Sequence, residues 1–385
     1  MWRIALVLIL AVASGCVQTS RDVTSSRLLT PDQTSQNQRL EARDTSASLS
    51  LTPLGSIRYD DDCLPLISPD GSRLAVRSGG SPPSWAMKCA RNGEVLPPVT
   101  KIHIYDITET AKIVHTLSGT YLLGKGINSE GFLIEEPRRN GSRRIGLANW
   151  SDGKIQWIVD DEYVNAFGDI DENGTIAYSR RLPDEPGFEL VIKGQGSQWV
   201  LPSKWERSWV DPVLAPDGET IFVFRHGDGI LELGWGRFYE GVPLDVTIQT
   251  RRLSDRVNPR LQHEVLVGFS GNDASPPGEY PRIIFRHPGI GRIIEWTAHN
   301  GIARPFPEGT LAATMLGQDR GVVGLNDALK IIELPQLQQT SPVAITLMEE
   351  MGIPRRMGSK TDEIILLRPR NGRFELTKMT LLNVQ

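Results

Sequence analysis

One short unit recurs along this chain and constrains its fold more than any other feature. Ser68-Pro69-Asp70-Gly71 runs into Ser72-Arg73 and the apolar stretch Leu74-Ala75-Val76. Ala215-Pro216-Asp217-Gly218 runs into Glu219-Thr220 and Ile221-Phe222-Val223-Phe224. Asp171-Glu172-Asn173-Gly174, followed by Thr175-Ile176-Ala177-Tyr178, is a looser copy. Asn128-Ser129-Glu130-Gly131, followed by Phe132-Leu133-Ile134, is looser again. Pro presets φ, Asp bonds the backbone just beyond it, and Gly accepts positive φ, so each unit predicts a tight turn between two antiparallel strands.

A third, alternating strand follows the first unit in Lys101-Ile102-His103-Ile104-Tyr105-Asp106-Ile107, and a more polar fourth in Lys112-Ile113-Val114-His115-Thr116-Leu117. The turn glycines Gly131, Gly174 and Gly218 stand 43 and 44 residues apart. Gly71 precedes Gly131 by 60, because residues 78–100 form an insertion. Four strands repeated every 43 residues or so is the period of a β-propeller blade. The expected fold is therefore all-β, a propeller of about seven four-stranded blades, with six and eight as the alternatives. Later blades are read from Val265–Phe269, Arg282–Arg286 and Arg292–Trp296, from residues 311–334, and from Ile364–Leu367 with Phe374–Met379. An early strand near Ser56-Ile57-Arg58-Tyr59 is expected to complete the last blade, which leaves no open seam.

The Ser-Pro-Asp-Gly unit with its apolar strand, at residues 68–77 and 215–224, resembles the TolB-like, WD40-like repeat of bacterial envelope proteins. The resemblance covers architecture from about residue 55 to 385. TolB carries an additional N-terminal α/β domain. Residues 17–54 are too few and too polar to supply one, so a TolB role is not implied.

The N-terminus gives an expected address. Met1-Trp2-Arg3 is followed by an apolar run from Ile4 to Ala13, then Ser14-Gly15-Cys16. A charged start, a short apolar run and small residues at a cut site make an export signal. Val12-Ala13-Ser14-Gly15-Cys16 resembles the lipobox of bacterial lipoproteins, although Ala13 stands where Leu is usual. That resemblance implies a signal peptide over 1–15 and diacylglycerol and acyl chains on Cys16, hence a membrane partner through lipid. Val17 in place of Asp implies the periplasmic face of the outer membrane within the cell envelope. Residues 16–52 are expected to form the lipidated start and a flexible polar tether, and 53–385 the propeller. The tether is rich in Ser, Thr, Gln, Asp and Arg and cannot bury enough apolar surface to offset chain entropy.

Composition narrows the rest. Of 385 residues 37 are Gly and 26 Pro, and nine are Trp, which suits short strands and turns. The net charge of −4 carries no electrostatic footprint for nucleic acid. The chain has three Cys. With Cys16 assigned to lipid, export predicts a disulfide between Cys63 and Cys89, and two free thiols are the alternative.

No nucleophile elbow, sialidase box or Gly-rich phosphate loop is present. No cofactor and no metal is expected. Asp60-Asp61-Asp62 lacks the alternating spacing of a Ca²⁺ loop, and the six His are scattered. Arg138-Arg139 and Arg143-Arg144 flank Asn140-Gly141 as a basic hairpin tip, and Arg355-Arg356 read as an isolated basic pair. Most Trp, such as Trp157 and Trp296, are expected between blades. Trp85 in the insertion and Trp235 between Gly234 and Gly236 are the candidates for an exposed binding surface. The expected function is a lipid-anchored, non-enzymatic scaffold for an envelope protein or glycan. The alternatives are a propeller hydrolase or lyase acting at its central channel on carbohydrate or lactone, and a purely structural lipoprotein.

Overall fold

The structure is a computed structural model that describes residues 47–58, 65–78, 99–194, 196–203, 207–215, 217–227, 230–238, 246–254, 268–269, 282–286, 293–297, 303–310, 312–316, 320–325, 328–333, 344–348, 353–356, 363–370 and 373–383. Regular structure among the described residues is all strand. The strands group as seven four-stranded units, two of them joined into one eight-stranded sheet through a single parallel bridge between Val164 and Arg143. In chain order the units span 66–119, 122–159, 164–201, 208–254, 268–305, 312–348 and 353–383, the last completed by Ala47–Arg58.

Each unit is an antiparallel meander, and contacts between the first strands of most successive units make the first strand the innermost. The second strand is apolar without alternation, as in Leu74-Ala75-Val76, Phe132-Leu133-Ile134, Ile221–Phe224 and Ile364–Leu367, all buried. Neighbouring sheets cover both of its faces, so neither face can be polar. The outermost strand of the first unit, Lys112–Gly119, is largely exposed. Apolar clusters bridge first to second, second to third, third to fourth, fourth to fifth and fifth to sixth units. A further cluster joins Leu54, Ile57, Ile365, Leu367 and Phe374 of the last unit to Ile67, Leu74 and Tyr105 of the first.

The expected turns form as the chemistry requires. The Gly71 N–H donates to the Ser68 carbonyl at 2.8 Å with φ +71°. Asp70 accepts from Ser68 Oγ at 2.6 Å and from the Ser72 N–H at 3.0 Å. At the fourth unit the Gly218 N–H donates to Ala215, and Asp217 accepts from the N–H groups of Glu219 and Thr220. In the looser copies the cap moves to the first turn residue. Asp171 accepts from Asn173 and Thr175, and Asn128 from Glu130 and Gly131.

Three boundaries differ from the sequence reading. The closing strand begins at Ala47, inside the stretch 16–52 expected to be tether, and pairs with the last strand from Asn383 inwards. It is an edge strand whose one neighbour supplies the hydrogen bonds, so polar Ser and Thr serve as well as apolar residues. Arg355-Arg356, read as an isolated basic pair, end the innermost strand Ile353–Arg356 of the last unit. The fifth and sixth units gain fourth strands, Ala303–Pro305 and Ala344–Met348, that were not read. The insertion is where it was expected: Arg73–Ser78 and Thr100–Asp106 pair directly, so residues 79–98 connect second and third strands of the first unit.

Candidate functional site

The innermost strands of the second, third and fourth units bring three ionisable residues to one wall. The strand Leu122–Ile127 carries Lys125 between Gly124 and Gly126. A Cβ on Gly126 would lie 2.7 Å from Leu133 Cδ1 and 2.8 Å from the Asp169 Cα, so glycine is what lets adjacent units touch there. Lys125 Nζ reaches Asp211 Oδ1 of the fourth unit at 3.7 Å. Asp169, on the third unit between them, accepts the Leu214 N–H on Oδ2 at 2.8 Å. Burial pushes the Asp169 carboxyl up to about 6, against the opposing pull of Lys125 and of the N–H groups of Leu214 and Ile170.

The backbone is unusual on the same wall. Phe167 and Asp211 hold positive φ, +60° and +50°, at register shifts in their strands. Non-glycine residues adopt this region at a cost of about 1 kcal/mol or more, and only where the surroundings enforce it. At Phe167 the enforcing group is visible. Its N–H donates to the buried Glu135 Oε1 at 2.9 Å, and Glu135 Oε2 holds Arg143 at 3.2 Å.

A second site lies where the strand hairpins and inter-unit connections meet. A cleft of about 380 Å³ is lined by Thr120, Glu136, Pro137, Arg138, Arg139 and Arg144. Asp160 pairs with Arg138 through one oxygen and with Arg144 through the other. Arg144 Nε also donates to Glu136 at 2.5 Å. Burial is the largest single influence on the Asp160 carboxyl and pushes it up, but the hydrogen bonds and charges of Arg138 and Arg144 together outweigh it and hold the group below the ordinary carboxylate range. The Arg144 guanidinium lies 3.5 Å from the centre of the Trp157 ring. Arg139 is exposed and has no ion-pair partner among the described residues.

The residues singled out from sequence fall differently. Cys16, Cys63, Cys89, Trp85 and Asp60-Asp61-Asp62 lie outside the described residues. Trp235 is not the open ring that its flanking glycines suggested. It is partly buried, 4.8 Å centre to centre from Trp296 of the next unit. Gly234 and Gly236 serve close approach of Ile248 and Val246 instead. Trp296 is buried between units, against Phe222 and Trp235, as expected. Lys125, Asp169 and Asp211 were not singled out, because nothing local marks them. They come together only through residues 44 and 42 positions apart, near the blade period.

No family model matches the chain, and no curated protein matches it. Solved structures do. The Cps50 (Swd1) β-propeller domain of Myceliophteria thermophila aligns with a TM-score of 0.50 at 11% identity, over 86% of this chain and 100% of that one. The fold is a β-propeller. TolB from Acinetobacter baumannii aligns at 13% identity and a TM-score of 0.38, over 74% of this chain and 77% of that one. A prolyl endopeptidase aligns at 11% identity and a TM-score of 0.48 over 85% of this chain, and the chain spans only 47% of that protein's length.

Proposed function

We propose that this propeller is a lipid-anchored binding module of the bacterial cell envelope that presents a surface to an envelope protein. The observation that carries the reading is the cleft at Thr120, Glu136–Arg139 and Arg144. Thr120, Arg138 and Arg139 lie on inter-unit and inter-strand connections, the segments that carry recognition in folds of this kind, while Glu136, Pro137 and Arg144 stand on the ends of the strands beneath them. The attachment points of the insertion, Ser78 and Thr100, belong to the same class of connection on the neighbouring blade. Trp85 within that insertion supplies an aromatic anchor in this reading, and a Cys63–Cys89 disulfide ties the insertion to the blade. Lipid on Cys16 sets the place, the outer membrane's periplasmic face, and the residues before Ala47 set the reach.

The test is co-purification from detergent-solubilised membranes of the native lipidated chain, its Cys16→Ser form and its Trp85→Ala form. One envelope protein recovered reproducibly with the native chain and lost with Trp85→Ala supports the reading. Recovery of none, or equal recovery with Trp85→Ala, counts against it. Membrane retention of Cys16→Ser counts against the anchor.

A second reading rests on Lys125, Asp169 and Asp211. A carboxyl poised near pH 6 beside an amine on the inner wall has the makings of an acid–base pair, as a hydrolase or lyase would need. Hydrolysis of a lactone or glycoside panel that is abolished in Asp169→Asn would favour it.

A further inference from the structure

We infer that the Arg138–Arg139–Arg144 cleft is a receptor for a single carboxylate on an extended peptide, an Asp or Glu side chain or a C-terminus of the bound partner. The inference rests on the binding reading above and names the chemistry that the surface accepts.

The charge count selects the ligand. Three guanidiniums line or border the cleft, and two carboxylates, Glu136 and Asp160, already sit among them. One positive charge is left over. A monoanion neutralises it, whereas a phosphate dianion would bring surplus charge up against Glu136 and Asp160. The site also shows how it holds a carboxylate. Asp160 engages two guanidiniums with its two oxygens, the divided geometry that makes arginine the residue for planar anions. Arg139, exposed at the hairpin tip, offers a third planar fork. Arg143, the remaining basic residue of the hairpin, is withdrawn into the interior against Glu135 and takes no part.

The frame under these groups is stiff. The hairpin closes through Arg138 N–H to the Ser142 carbonyl at 2.9 Å and Gly141 N–H to the Arg138 carbonyl at 3.1 Å. Asn140 Oδ1 accepts from both Ser142 N and Ser142 Oγ. Arg144 is further held by Trp157. Little ordering therefore remains to oppose binding. The same contact argues for peptide over sugar. Sugars stack on open aromatic faces, and Trp157 gives a face to the Arg144 guanidinium while Tyr121 packs 6.5 Å away.

The test uses the purified full chain and a dye-labelled, C-terminally amidated hexapeptide with one Glu among Ser residues, read by anisotropy, with the same amidated peptide carrying Gln in place of Glu as control. The Glu peptide binds and the Gln peptide does not. Arg139→Glu weakens binding at least tenfold with an unchanged melting temperature, since Arg139 is exposed. Asp160→Asn tightens binding, because it leaves a second charge uncompensated. Equal binding of both peptides, or full affinity in Arg139→Glu, overturns the inference. Stronger competition by inorganic phosphate, or by oligogalacturonate, than by free Glu peptide also overturns it, in favour of phosphate or an acidic glycan. In the membrane co-purification, a partner retained by Arg139→Glu overturns this inference and leaves the binding reading standing, whereas no partner for the native chain removes the binding reading itself.

Discussion

The carboxylate of Asp169 accepts the backbone N–H of Leu214 at 2.8 Å, across the boundary between the third and fourth blades. The contact joins two innermost strands, and Lys125 of the second blade adds its attraction to the same carboxylate. Burial nevertheless dominates and raises the pKa to about 6, above the value near 4 of an unfolded Asp. Between those values the folded chain binds more protons at this site than the unfolded chain does. Stability from this group is therefore present below about pH 4 and is lost as pH rises to about 6. The expected change is on the order of 3 kcal/mol. Urea unfolding at pH 4.5, 6 and 7.5 should show Asp169→Asn gaining on the native chain as pH rises. An identical pH dependence of the two proteins would refute this.

Glu135 is the hidden support of the neighbouring backbone. It serves the Phe167 N–H and Arg143 at once, with no exposed surface of its own. Glu135→Ala leaves a buried guanidinium and an unmatched N–H at a residue already in the left-handed region, a loss of about 3–5 kcal/mol. Replacing Arg143 with Met in the same chain should recover part of the loss. Chemical denaturation of the single and double variants measures the coupling.

Two glycines separate steric from conformational cost. Gly126→Ala places a methyl within 2.8 Å of the Asp169 Cα and the Ile170 N, so the second and third blades must move apart. Gly174→Ala meets nothing within 4 Å but must hold φ at +78°. The second should cost about 1 kcal/mol, and the first should cost more and also shift the apparent pKa of Asp169. Calorimetry and a pH series on both variants distinguish the two effects.

Trp235 and Phe222 flank Trp296 from one side of the blade interface. Phe222→Ala removes a fully buried ring and should cost about 3–5 kcal/mol. Trp235→Ala should lower the melting temperature by less, since the ring is only partly buried, and should expose Trp296 to a fluorescence quencher. A Trp235→Ala protein with native stability and native quenching would return Trp235 to the class of surface aromatics.

Much of the fold was legible in the Pro-Asp-Gly turns. Their chemistry is local: Asp70 and Asp217 reach only two or three residues along the chain. The same 43-residue spacing that marked the blades reappears as contact, with Asn128 donating to the Asp171 carbonyl and the Ser129 N–H to Glu172. The start of the closing strand was not legible, because an edge strand takes its order from backbone pairing rather than from composition. The aromatic reading failed at Trp235 for a related reason. Flanking glycines signal room for a neighbour, and which neighbour fills it depends on how adjacent blades pack.

The sequence by itself thus determined the all-β class, the turn geometry, the blade period and the return of an early strand to the last blade, since each follows from interactions within a few residues or from simple repetition. Only the tertiary structure decided which charges meet. Lys125 with Asp211, Asp169 with Leu214, and Arg138 and Arg144 around Asp160 are partners across blades or connections. Their pairing depends on the twist and spacing of packed sheets, which no short stretch of chain encodes.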